Sequence, residues 1–166
     1  HGDAYAGSAG WPDIGVDPSF AAVVREDSIG GGFLICDAPM NSGHSHYVFN
    51  AALDAMNRWI TEGTAPASGT YLDVSDDLSS FSLDDLGNVT GGIRTPYVDA
   101  PAAVFSGLGQ SGSSFCGLFG TTYLFSAEQM ASLYVDQAGY VTAVTDSANA
   151  AVAAGFLLQA DADLII

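Results

Sequence analysis

"SHYVFNAALDAMNRWITEG", residues 45–63, is the clearest helix in the sequence. Val48, Phe49, Ala52, Leu53, Met56, Trp59 and Ile60 recur at the i, i+3, i+4, i+7 spacing that stacks side chains on one face of an α-helix. Ser45 suits the N-cap, because its hydroxyl can accept a hydrogen bond from the first turn's backbone. Gly63 suits the stop, because glycine takes a left-handed conformation without a Cβ clash. Asn50, Asp54 and Arg58 run along another face at four-residue spacing.

Outward from this helix the pattern changes. Upstream, residues 1–32 are glycine-rich, with turns and little periodicity. "SIGGGFLICDAPMNSG" (28–43) holds one short apolar run, Phe33 to Cys36, readable as a short strand or a buried loop. Downstream, "TAPASG" (64–69) reads as a loop and residues 70–105 as extended chain. "TYLDV" (70–74) alternates apolar and polar residues, and Gly-Asn, Gly-Gly and proline signals keep the following strands short. "SGLGQSGSSFCGLFGTT" (106–122) is a Gly/Ser loop of the kind that is functional or lies against another segment. Helices return at "SAEQMASLY" (126–134), where Ser126 and Gln129 have the spacing of a capping box. A second follows at 140–158, with Val141, Val144, Ala148 and Val152 on one face and Gly155 at its end. No internal repeat is present.

The chain has 166 residues, 48% of them apolar, enough for one domain with a real core. Nineteen acidic residues face three basic ones, Arg25, Arg58 and Arg94, for a net charge of −16 and no lysine. That balance excludes nucleic acid, whose phosphates need clustered Lys and Arg, and it disfavours anionic membrane surfaces. It suits a secreted or cell-surface protein, or one working in salt that screens its self-repulsion. The two cysteines, Cys36 and Cys116, form no zinc-type pattern. They make either a disulfide in an oxidising compartment or two small buried thiols. No signal peptide and no membrane-length apolar run is seen. A chain that opens on His1 rather than Met reads as processed, clipped or covered only in part.

Several stretches invite a chemical reading. In "GLGQSGS" (107–113), Ser111 sits where a nucleophile elbow would put its serine, but the final glycine of G-x-S-x-G is missing and no apolar helix follows. A Gly/Ser loop packed on a partner segment fits better. His44 and His46 stand at i, i+2 near the helix entry and do not face the same way on a helix, so a capping or hydrogen-bonding role outweighs a zinc site. Asp73, Asp76 and Asp77 in "DVSDDLSS" (73–80) miss the calcium-loop register and read as a solvated acidic turn. His1, with a free α-amino group, could chelate copper if His44 or His46 came close. No cofactor and no metal is otherwise expected.

"HGDAY" (1–5), "NSGHSHYVFNAALDAMNRWITEGTAP" (41–66), "DDLGNVTGGIRTPYVDAPAAVFSGLGQ" (84–110) and "AVAAGFLLQADADLI" (151–165) together resemble a bacterial family of α/β-hydrolase-domain proteins. "GNVTGGIRTP" is the most specific of these stretches. The resemblance runs over nearly the whole chain, weakest between residues 6 and 32, and corresponds to the C-terminal part of that family's domain. It implies an α/β-hydrolase-like fold of which residues 1–166 are a single C-terminal segment, with terminal helices, a few short strands and an upstream part outside this chain. It implies that His1 is the triad histidine, a general base. Asp3 is too close along the chain to orient that imidazole, and the order in such hydrolases is serine, acid, histidine. Both the serine and the acid are therefore expected before residue 1. Cleavage directly before His1 would set a charged α-amino group beside the imidazole and lower its pKa.

The expected function is thus a segment of a serine hydrolase, a carboxylic-ester hydrolase, inactive alone. Its implied partners are a complementary N-terminal segment carrying the serine and acid, and a small ester-like substrate. The alternatives are a non-catalytic secreted structural or assembly subunit, including a homo-oligomer, and a copper protein using His1.

Overall fold

A computed structural model describes residues 28–29, 34–41, 43, 45–113 and 115–166. They fall into two compact units, one from the described parts of His1–His46 with Ala103–Leu124, the other Tyr47–Ala102 with Phe125–Ile166.

In the first unit, β1 (Ser28–Ile29) pairs antiparallel with β2 (Leu34–Ile35), Ser28 opposite Ile35 and Ile29 opposite Leu34. β2 falls within the apolar run read from Phe33 to Cys36, so the strand alternative is the one adopted. β3 (Ala103–Ser106) and β4 (Thr121–Leu124) pair antiparallel from Ala103 opposite Leu124 to Ser106 opposite Thr121. Thr121 and Thr122 are buried, and both hydroxyls are satisfied: Thr122 Oγ1 donates to the Met40 carbonyl at 2.8 Å and Thr121 Oγ1 to that of Leu108 at 3.1 Å. An unmade bond at such a position costs about 1–3 kcal/mol. Cys36 and Cys116 are joined by a disulfide, with Cα atoms 5.5 Å apart, and form the unit's apolar centre with Met40 and Phe119.

The second unit is mainly helical. α1 (Ser45–Glu62) starts on Ser45 itself, one residue earlier than a Ser45 cap would place it, and the Ser45 N–H donates to the Gly43 carbonyl. Gly63 ends it at φ +74°, its N–H bonded to the Trp59 carbonyl. α2 (Pro96–Asp99) interrupts the stretch read as extended. Pro96 presets the helical φ at its first position, and the Ala100 N–H closes the turn on the Pro96 carbonyl. α3 (Ala127–Tyr134) opens with both halves of the expected capping box: Gln129 N–H to Ser126 Oγ at 3.2 Å and Ser126 N–H to Gln129 Oε1 at 2.9 Å. Asp136 caps α4 (Gln137–Ala153) by accepting from Gly139 N–H at 2.8 Å. α5 (Gln159–Ile165) closes the chain. The core gathers Tyr47, Ala148, Ala151, Leu157 and Ala162, with Tyr97 stacked on Tyr47 at 6.5 Å.

The large apolar face of α1 is the exposed one. Its buried stripe is Tyr47, Ala51 and Ala55, while Phe49, Leu53, Met56, Trp59 and Ile60 are between 45% and 78% exposed. Tyr47 of that stripe packs with Ala148 and Ala151 of α4 and with Leu157 and Ala162. On α4, Val144 and Ala148 are buried as expected, but Ala151 joins them while Val141 faces solvent.

Between α1 and α2 the chain folds back through isolated antiparallel bridges, Leu72 opposite Gly91, Val74 opposite Phe81 and Leu83 opposite Val89. Leu72 and Val74 are exposed, so the alternation in "TYLDV" does not sort inside from outside. The "GNVTGGIRTP" stretch makes this crossing. Gly91 has φ +72°, and a Cβ there would stand 2.4 Å from the Tyr71 carbonyl oxygen. Arg94 Nε donates to Asp99 Oδ1 at 2.6 Å and its Nη1 to the Val89 carbonyl at 3.3 Å, tying the end of the motif to α2. Among the described residues, no helix is long and apolar enough to cross a membrane.

Candidate functional site

Ser111 is the described residue with the clearest catalytic alternative, and its surroundings decide its role. Its Oγ donates to Asp37 Oδ2 at 2.7 Å. The Asp37 N–H donates to the Ser111 carbonyl at 2.9 Å, and the Ser113 N–H to that of Ile35 at 3.1 Å. Gln110 braces the same contact: its Nε2 donates to the Ala38 and Gly120 carbonyls, and its Oε1 accepts from the Ala38 N–H. Next to it, the Cys36–Cys116 disulfide pins both strands of the contact. A serine nucleophile needs a base of pKa near neutrality within hydrogen-bond reach. Here the hydroxyl donates to the Asp37 carboxylate instead. The chain then enters a single 3₁₀ turn, Cys116–Leu118, where an elbow would lead into a helix. "GLGQSGS" is therefore a Gly/Ser loop laid against residues 35–38. Sequence reading missed Asp37. The signal was its place beside Cys36, since a Cys36–Cys116 bridge brings residues near 36 against residues near 116.

The triad-histidine and copper-chelate readings both fall on His1, which lies outside the described residues, as do Asp3 and His44. His46 is the second residue of α1, and its Nε2 is buried. Among the described residues, no three His, Cys, Asp or Glu side chains are grouped to hold a metal ion. The acidic turn at 73–80 uses its own donors. Asp77 Oδ1 accepts from the hydroxyls of Ser75 at 2.7 Å and Ser79 at 2.8 Å and from the Ser79 N–H at 3.1 Å. These bonds, the Ser75 hydroxyl first, hold the Asp77 carboxyl down at about 2.

Two further features lie in the helical unit. Asp161, in the first turn of α5, is buried and accepts from Asn50 Nδ2 at 3.2 Å, joining α5 to α1. The α5 N-terminus also favours a carboxylate there. A cleft of about 180 Å³ opens where α1 and α4 end, lined by Ala55, Arg58, Pro66, Ala67, Ala154 and Gly155 among others. It is smaller than the roughly 300–1,000 Å³ of ligand pockets. Arg58 is paired with Asp54 at 3.0 Å, and the cleft's lining carries one hydroxyl, that of Thr64. The described residues thus supply a scaffold, a pinned loop and an exposed apolar helix face, without an assembled nucleophile and base.

The wider comparison agrees with the resemblance carried by the motifs. A family model described as the alpha/beta hydrolase domain matches residues 1–166, the whole chain. No curated protein and no solved structure matches it. The chain belongs to the α/β-hydrolase domain family.

Proposed function

We propose that this chain is the C-terminal segment of a serine hydrolase acting on carboxylic esters, and that His1 is its general base. The observation carrying this reading is membership of the hydrolase family over the full length of a chain whose one elbow-like serine is committed to a carboxylate. The nucleophile is then supplied from upstream, with the acid. In the assembled enzyme the serine oxygen attacks the ester carbonyl while His1 takes its proton. His1 returns the proton to the departing alkoxide, and water clears the acyl group by the same two transfers in turn.

The test is ester turnover. The 166-residue chain alone is expected to give none on a short-chain nitrophenyl ester. Joined to the polypeptide encoded directly before His1, it is expected to turn over, and His1→Ala is expected to abolish that turnover. Activity of the isolated chain that Ser111→Ala removes would sink the proposal. The residues encoded before His1 bear on it directly: an apolar strand and a tight turn fit a triad-histidine loop, and a signal-cleavage site does not.

The exposed apolar face of α1 favours a second reading, a structural or assembly subunit. Native mass separates the two. A second polypeptide with G-x-S-x-G supports the enzyme, and identical subunits alone support assembly.

A further inference from the structure

The bridge between Cys36 and Cys116 is hidden from solvent: Cys116 is 0% exposed and Cys36 3%. Its cover includes residues 107–120, the stretch that leaves β3 and returns in β4. At Gly112 this stretch lies backbone to backbone on the segment that carries Cys36, so a Cβ there would stand 2.9 Å from Cys36 Cα. The hold is mostly polar. Leu108, Phe115 and Leu118 of the stretch are exposed, and only Cys116 and Phe119 of its described residues join the apolar centre with Cys36 and Met40. Gln110 is the anchor. Its Nε2 donates to the Ala38 carbonyl at 2.8 Å and to the Gly120 carbonyl at 2.9 Å. Its Oε1 accepts from the Ala38 N–H and the Ser111 N–H, each at 3.1 Å. A primary amide has two donor hydrogens and two acceptor lone pairs, and all of them are used here. One side chain therefore ties the start of the stretch to its end, and both to the residues just after Cys36. A segment held by surface hydrogen bonds with few buried apolar contacts opens locally at lower cost than the fold as a whole.

We propose that residues 107–120 are a strap over the disulfide, that opening of this strap rather than unfolding of the domain admits a dithiol reductant, and that Gln110 is its catch. With the strap shut, the buried sulfurs give an attacking thiolate no approach. With it open, one thiolate of the dithiol attacks a bridge sulfur and expels the other cysteine as a thiolate. The second thiol of the reductant then displaces the first cysteine from the mixed disulfide. The chain gains two electrons and two protons, as the Cys36 and Cys116 thiols, and the reductant leaves as a cyclic disulfide. The covalent link across residues 36–116 is thus conditional on a local polar contact. This device is independent of the hydrolase chemistry proposed above.

The test is the rate at which the folded, oxidised 166-residue chain yields its two thiols to excess dithiothreitol, followed by alkylation and mass. The parent should be reduced about 100-fold more slowly than the same chain unfolded in concentrated urea. Low urea should leave the rate of the folded chain nearly unchanged, because opening a strap exposes little surface and global unfolding carries the full denaturant slope. Gln110→Glu keeps the side chain's shape and sets a carboxylate oxygen against the Ala38 and Gly120 carbonyls, so reduction should accelerate about 10-fold or more. Val104→Ala weakens the same unit on β3, opposite Tyr123 and away from the strap, and should leave the rate unchanged. Reduction of Gln110→Glu at the parent rate overturns the proposal. So does a rate that climbs with urea at the full slope, or an equal acceleration by Val104→Ala, because the bridge is then reached by global unfolding. A parent reduced as fast as the unfolded chain overturns it too, since the strap then shields nothing. Should Gln110→Glu fail to fold, the urea dependence of the parent and the rate of Val104→Ala decide.

Discussion

Reducing the Cys36–Cys116 bridge should be the most costly covalent change available to this chain. The two cysteines are 80 residues apart in sequence. Cross-linking a loop of that length removes chain entropy from the unfolded ensemble worth about 4.5 kcal/mol at 25 °C in the loop-closure treatment. A typical domain is stable by only about 5–15 kcal/mol, so the bridge accounts for a large share. Two perturbations separate the cross-link from its packing. Reduction of the parent chain breaks the bond and leaves both sulfurs in the centre formed with Met40 and Phe119. Cys36→Ala with Cys116→Ala removes the sulfurs as well, and both positions are almost fully buried. The variant should therefore fall below the reduced parent by a further ~1–2 kcal/mol for the space vacated. Alanine is the better probe than serine, since a hydroxyl at Cys116 would meet the Ile35 carbonyl, 3.2 Å from Sγ, and add a hydrogen bond of its own. The assay is urea denaturation followed by far-UV circular dichroism. Beyond the loss in free energy, the denaturant slope should rise, because an unbridged unfolded chain exposes more surface. A reduced chain within ~1 kcal/mol of the oxidised one, with an unchanged slope, would refute the reasoning.

Three further outcomes are expected. Val135, a β-branched residue at φ +61° between α3 and α4, is strained, and Val135→Gly should raise stability by about 1 kcal/mol in the same assay, strain relief exceeding glycine's entropic cost; a less stable variant contradicts this. Ser126→Ala removes the side chain that accepts from Gln129 N–H and should cost about 1 kcal/mol, read as a lower urea midpoint; no change would show the cap to be dispensable. Asp77 titrates at about 2 against an ordinary 3.8, so its bonds to Ser75 and Ser79 stabilise the fold above about pH 4 and are lost as pH falls through about 2. Ser75→Ala should move its carboxyl resonance titration upward toward 3.8, and an unmoved midpoint would show that Ser75 does not hold it.

What sequence disclosed, and what it withheld, divides along local and non-local lines. The span of α1 and its stop at Gly63 were legible because a seven-residue apolar stripe and a left-handed glycine are local signals. The capping box at Ser126 and Gln129 was legible for the same reason. The facing of α1 was not. Tyr47, Ala51 and Ala55 also recur every four residues, and two stripes on one helix cannot be ranked without the elements that meet them. α2 is too short to show a period, although Pro96 at its first position was a readable start. The bridge between Cys36 and Cys116 had to stay open, because connectivity depends on geometry that spacing does not carry. Ser111 was rightly weighed as a loop residue from its missing glycine, but its partner Asp37 lies 74 residues away and left no local trace.

The side chains that are buried and those that are not bear on how this segment is held in its domain. The largest fully buried side chains among the described residues are Thr121, Thr122 and Cys116, while Phe49, Trp59 and Ile60 on α1 stand largely in water. Covering the apolar face of α1, on the order of 600 Å², is worth on the order of 15 kcal/mol gross at about 25 cal/mol per Å². A separate partner would lose about 4–15 kcal/mol in translational and rotational freedom, much of that gain.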